Sequence, residues 1–171
     1  MSGDPDISTR ARDWWLGLQH DNAARARLRR ARTPLDALLE PQTYNLMQRL
    51  GWHGDRGERV AALAAVLAHV REDDPQRIAR AIGRKKLKDE DSALVSEGRF
   101  RRLMTERSIG DLQTSMKRLV DHLGGRASVA DLTYSMLWWS DKTRTNWAYD
   151  YYAAGDASSD PAEKAQKVEN G

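Results

Sequence analysis

A chain of 171 residues, 40% hydrophobic and 31% charged, has enough apolar matter for one domain or two small ones. It has no cysteine, which excludes disulfides and thiolate metal sites and fits a reducing compartment, and no apolar run approaches the ~20 residues needed to cross a bilayer. Formal net charge is +3, but residues 155–171 hold four acids and two lysines, so the body up to Ala154 carries 26 basic against 21 acidic residues. The opening MSGDPDISTR lacks the apolar segment of a signal peptide, and a cytoplasmic protein without membrane contact is expected. One Phe stands against six Trp and five Tyr, aromatics that favour partly wet boundaries.

In chain order the sequence reads as helices. Ser8 or Thr9 opens a first helix carrying Trp14, Trp15 and Leu18, and Asp21 or Asn22 restarts it as AARARLRRAR. In that piece Arg25, Arg29 and Arg32 share a face, while Leu28 and the alanines supply the packing surface. Thr33 before Pro34 and Glu40 before Pro41 start short helices with proline at the first helical position, and the second of these ends at Gly51. From Arg56 to Arg71, Val60, Leu63, Leu67 and Val70 recur at helical spacing with alanines between, as in the central helix of an N-terminal lobe. Asp74 and Pro75 cap QRIARAIG, closed by Gly83.

The run RKKLKDED at 84–91 turns from cations to acids without an apolar period and marks a linker. Beyond it, SEGRFRRLMTER places Phe100, Leu103 and Met104 on one side of a helix and Arg99, Arg101 and Arg102 on its flanks. Ser108 with Asp111, and Ser128 with Asp131, are helix-opening boxes ahead of apolar stripes, and Ser140 or Asp141 begins a last helix through Tyr152. The expected architecture is therefore all-α, about eight or nine helices with no sheet. An N-terminal lobe at 1–83 and a C-terminal lobe at 92–154 pack together, and 155–171 is a disordered tail.

Signatures of catalysis are missing: no glycine-rich phosphate loop, HExxH pair, nucleophile elbow or EF-hand loop occurs. His20, His53, His69 and His122 are scattered and read as surface or helix-end residues, and Glu72, Asp73 and Asp74 read as a solvated turn. No metal or cofactor is expected. The clusters Arg25–Arg32, Arg77–Lys88, Arg99–Arg107 and Lys117–Arg118 contain few acids of their own, so intrahelical pairing cannot absorb most of the cations, and arginine's planar fork suits phosphate oxygens. Adjacent Trp138 and Trp139 must face differently, one toward the core and the other toward a boundary, an interface or a base-stacking position.

These pieces carry a resemblance. Trp14–Trp15, LRRA at 28–31, LGW at 50–52, ARAIG at 79–83, GRFRRLM at 98–104, KRLV at 117–120, LWW at 137–139 and NWAYDYY at 146–152 occur in the order and spacing of the CasB family. That family comprises the small subunits of the type I-E CRISPR surveillance complex Cascade, and the resemblance covers the chain to about Ala154. It implies a non-catalytic protein of two helical lobes, present as two copies head to tail along the belly of an RNA-guided complex, against its large and backbone subunits. Basic residues there are expected to hold target and displaced DNA strands near the CRISPR RNA. The matching positions are Arg29, Arg30, Arg80, Arg99, Arg102, Arg107, Lys117, Arg118, Lys142 and Arg144.

Because base pairing between guide and target reads sequence, such a subunit needs only sequence-independent backbone contacts that favour the open R-loop. Two other classes fit the same basic faces: a helical scaffold binding acidic protein partners, and a free-standing DNA-binding helical module.

Overall fold

The segment from Val60 to Val70 is apolar on every side apart from His69, and a helix of that kind has to be surrounded. In the computed structural model, which describes residues 5–155, it is. Helix α5 (Gly57–Leu67) lies at the centre with every residue from Val60 to Val70 buried. Around it pack α2 (Asn22–Arg30), α3 (Pro34–Leu38) and α4 (Pro41–Leu50) from the first half of the chain, and α8 (Ile109–His122) and α9 (Val129–Leu137) from the second. Alanines at 61, 62, 64, 65 and 68 let these neighbours approach closely.

The remaining helices are α1 (Pro5–Leu18), α6 (Ile78–Ile82), α7 (Glu97–Met104) and α10 (Asp141–Tyr152). Ten α-helices among the described residues, close to the expected eight or nine, make the fold all-α. Helix α1 begins earlier than Ser8 and is fastened at both tryptophans: Trp14 Nε1 donates to the Gln42 carbonyl and Trp15 Nε1 to the Val70 carbonyl, each at 3.0 Å.

Most of the caps read from sequence are present. Ser108, Ser128 and Ser140 accept from the backbone amides of Asp111, Asp131 and Thr143, and Thr33 and Asp36 form a reciprocal box at α3. The start of α6 differs. Arg77, not Asp74, is its N-cap residue and offers no side chain to the helix; the Ile78 amide donates instead to Asp131 Oδ2 at 2.8 Å, across the fold from α9.

One small sheet was not expected. Strands β1 (Glu72–Asp73) and β2 (Arg126–Ala127) pair in parallel, Glu72 with Arg126 and Asp73 with Ala127. Gly124 and Gly125, at φ 70° and 83°, make the turn that delivers β2, and the Gly125 carbonyl accepts from the amides of Arg71 and Glu72. At two residues each, these strands are too short to show alternation. The acids at 72–74, read as a solvated turn, are thus partly structural: Asp73 Oδ1 accepts from the Val129 amide and Asp73 Oδ2 from Arg12 Nε.

Residues 85–91 are all exposed, and the buried residues on either side of them belong to one apolar cluster. Helix α6 packs on α10 so tightly that a Cβ at Gly83 would lie 2.2 Å from the Tyr151 carbonyl oxygen. The Arg84 amide donates to that same carbonyl at 2.8 Å. The tail from 156 onward lies outside the described residues.

Candidate nucleic-acid interface

Helix α7 is short, and its apolar residues leave one side for the core. Phe100 and Leu103 are buried, and Phe100 stacks on Tyr151 with ring centroids 4.0 Å apart. One turn of offset sends Arg99 and Arg102 toward α8, where Arg118 projects from an exposed position. Together they rim a groove of about 680 Å³ between α7 and α8, floored by Ile82, Val95, Phe100, Leu103 and Leu119. Among the described residues none of the three guanidiniums has an ion-pair partner. The one carboxylate in the lining, Asp121, is engaged by His69 Nδ1 at 2.9 Å. His122 also lines the groove, its Nε2 3.2 Å from the Leu94 carbonyl oxygen.

Arg29 and Arg30 lie at the end of α2, which is tied directly to α8. Lys117 Nζ donates to the carbonyls of Arg29 (3.1 Å) and Ala31 (2.5 Å), Gln113 Nε2 donates to Ala31, and His69 Nε2 meets the Arg29 carbonyl at 3.3 Å. The last carbonyls of a helix attract cations, so Lys117 is held where a C-terminal cap would sit. Burial lowers its pKa, with Arg29 acting in the same direction and Asp121 opposing. Lys117 thus fastens α2 to α8 through two carbonyl acceptors. His69, expected at a surface or helix end, follows the end of α5 but is buried in this seam.

The arginines beside the seam are crowded rather than paired. Arg30 is exposed and Arg29 half-buried. The pKa of Arg25 is lowered, first by burial and then by the charges of Arg29 and Arg71. Arg25 and Arg71 therefore belong to the same cationic patch. Arg25 shares the face read from its spacing to Arg29, one turn away, although it is not among the ten matching positions. Arg71 comes from the link between α5 and β1, and only the folded arrangement brings it in.

The remaining matching positions are elsewhere. Arg107 and Arg144 converge on Asp141, with Arg107 Nη1 at 3.7 Å and Arg144 Nη2 at 2.5 Å from Oδ1. Arg144 also lies over the Trp139 ring. Asp141 is held below the usual carboxylate range, chiefly by its hydrogen bond from Arg144, then by the charges of Arg144 and Arg107. Lys142, on the next residue, is exposed. Arg80 is half-buried on α6, and its carbonyl accepts from Lys85 Nζ at 2.9 Å. The ten positions therefore fall into an α7–α8 groove, an α2–α8 seam, a cluster at the start of α10, and Arg80 on α6.

Several other cations in the basic runs meet distant carboxylates. Arg77 pairs with Asp150, Arg84 with Glu97 and Arg27 with Glu40. These acids lie outside the runs, so counting acids within each cluster overstated the number of free cations. Trp139 is buried and Trp138 is partly exposed, edge-on to Trp52 at 5.2 Å. Among the described residues there is no cluster of three metal-ligating side chains and no helix long and apolar enough to cross a membrane.

Comparison with known proteins gives the fold's relatives and the family. Two solved structures share the fold. A chain of E. coli Cascade bound to a PAM-containing dsDNA target superposes with a TM-score of 0.65 at 21% identity, over 86% of this chain and 95% of that one. CasB from Thermus thermophilus gives 0.62 at 22% identity, over 85% and 97%. No curated protein matches. The family model for CRISPR-associated protein Cse2 matches residues 24–152, which run from within α2 to the end of α10 and take in the groove and the seam, and the chain belongs to that family.

Proposed function

We propose that this chain is the small subunit of a type I-E Cascade complex and that it stabilises the R-loop without catalysing a reaction. The observation that carries this reading is the α7–α8 groove, where Arg99, Arg102 and Arg118 stand exposed without carboxylate partners among the described residues. A folded protein gains little from three uncompensated guanidiniums around one depression. A polyanion would supply what they lack. The structural likeness to a chain of Cascade bound to dsDNA target supports the assignment.

In this reading the groove and the seam form one cationic track. Arg99, Arg102 and Arg118 hold phosphates of one strand segment, and Arg29 and Arg30, positioned by Lys117, extend the contact along α2. The track serves the target and displaced strands beside the CRISPR RNA. Lys142, Arg107 and Arg144 offer a further cationic site at the start of α10, weaker because Asp141 neutralises part of it. Arg80 would contribute from α6. A second copy of the chain and the large and backbone subunits complete the surroundings, and the 84–91 segment joins the two lobes.

Replacing a DNA duplex with an RNA–DNA hybrid is close to balanced in free energy, so a few backbone contacts can decide whether the opened state persists. The test is a salt titration of single-stranded DNA binding by the isolated chain. Each phosphate contact adds about 0.7 to the slope of log affinity against log salt, so the Arg102→Ala, Arg118→Ala double variant should lose about 1.4. A flat salt response in the unsubstituted protein would refute the phosphate contacts.

A further inference from the structure

The groove between α7 and α8 lies next to the place where the chain leaves the described structure. Tyr151, in the last turn of α10, stacks on Phe100 and donates from its hydroxyl to the Val95 carbonyl, and both Phe100 and Val95 line the groove from its other side. Tyr152 donates to Glu97 on α7. The Gly155 amide donates to the Arg84 carbonyl at 3.1 Å, which fixes the point from which residue 156 must start.

Residues 156–163 read DASSDPAE, with carboxylates at Asp156, Asp160 and Glu163 and no cation until Lys164. We propose that this acidic segment docks in cis against Arg99, Arg102 and Arg118 and competes there with nucleic-acid phosphate. Fully extended, eight residues span about 26 Å, more than twice the ~10–12 Å width of a helix with its side chains, so the segment can pass around α7. Asp160 and Glu163 then reach guanidiniums that have no other partner among the described residues, while Asp156, next to the anchored Gly155, starts the acidic approach.

Tethering makes weak contacts sufficient. A short linker gives an effective concentration on the order of millimolar, so a contact that would be negligible between separate molecules is well populated within one chain. Its strength falls with salt, because the groups are exposed and screened over ~8–10 Å. A long nucleic acid held by the whole complex presents many more phosphates than the tail presents carboxylates, and it displaces the segment. Stray single strands meeting only this groove displace it only when they are in large excess. The tail would thus suppress indiscriminate binding by the free subunit.

The docking itself is independent of the nucleic-acid reading, whereas the competition rests on it, and one experiment separates them. The chain has no cysteine, so Ser159→Cys gives a single site for a nitroxide label. Amide broadening by the label is read at Arg99, Arg102 and Arg118, with Gly51 as a remote control. Broadening confined to the groove at low salt is expected. It should disappear when Asp156→Asn, Asp160→Asn and Glu163→Gln are combined, and on adding excess oligothymidylate. The neutralised tail should also raise low-salt affinity for that oligonucleotide about three- to tenfold. No broadening at the groove, or broadening that survives neutralisation, overturns the docking. Broadening that neutralisation removes but saturating oligonucleotide leaves untouched overturns the competition and the phosphate reading of the groove, while the docking stands.

Discussion

Lys117 discriminates between a side chain that touches nucleic acid and one that positions those that do. Its Nζ donates to the carbonyls of Arg29 and Ala31, at the end of the helix that carries Arg29 and Arg30. Lys117→Met keeps most of the aliphatic stem and removes the ammonium. A charge-assisted hydrogen bond is worth about 1.5–3 kcal/mol, but neither carbonyl would be orphaned, since His69 remains on Arg29 and Gln113 on Ala31. Lys117 is also only half-buried, so a loss of about 1–2 kcal/mol is expected, a fall in Tm of about 3–6 °C for a domain of this size. The salt slope of single-strand binding should hardly change, because the phosphates counted are those at the arginines. Arg118→Ala, on the adjacent residue, should do the opposite, leaving Tm within about 1 °C and lowering the slope by about 0.7. Thermal melts and salt titrations on the two variants decide the matter. An unchanged melt with a slope lowered by about 0.7 in Lys117→Met would show that the ammonium reaches phosphate, and would refute the positioning role.

Other consequences concern the framework that holds the site. Gly83→Ala should destabilise by about 1–3 kcal/mol in a denaturant melt, because the new Cβ would lie 2.2 Å from the Tyr151 carbonyl oxygen and α6 and α10 would have to separate. Leu63→Ala, in the buried centre of α5, should cost about 2–5 kcal/mol by the same measurement. Asp131 has an enclosed carboxylate whose pKa is raised, chiefly by burial and against the hydrogen bonds from the Ile78 amide and Ser135. The folded state therefore binds this proton more readily than the unfolded chain, so the cost of the charge is present at neutral pH and relieved as pH falls through the raised folded value toward the ordinary carboxylate value. Urea melts across that range should show wild type gaining on Asp131→Asn as pH drops, while Asp131→Ala, which strips the α6 amide of its acceptor, should lose about 1–2 kcal/mol at neutral pH.

The features legible in the sequence were those whose partners are close along the chain. Ser108 reaches Asp111, Ser128 reaches Asp131 and Ser140 reaches Thr143 over three residues, and a three-residue spacing shows in the sequence. The apolar run of α5 declared its burial, and adjacent Trp138 and Trp139 had to diverge. Long-range chemistry was hidden. The cap of α6 comes from Asp131, 53 residues on, and Arg77 is answered by Asp150, 73 residues on. The β1–β2 pairing joins two dipeptides far apart in the chain and leaves no periodicity to detect. The groove follows the same rule. Arg99 and Arg102 are three apart and visible as a face, whereas their convergence with Arg118 depends on how α7 turns against α8.

The central claim is tested most directly in complex reconstituted with Arg102→Ala, Arg118→Ala subunit, melted first as the free chain and then assayed for R-loop formation on target duplex. Both side chains are exposed, so folding should hold to within about 0.5 kcal/mol per substitution. Two lost charge-assisted contacts of about 1.5–3 kcal/mol each should weaken target binding tenfold or more at low salt, with the deficit narrowing as added salt screens the contacts that the unsubstituted protein makes. Normal target binding by a folded, fully incorporated double variant would contradict the account and leave these arginines as a solvated face.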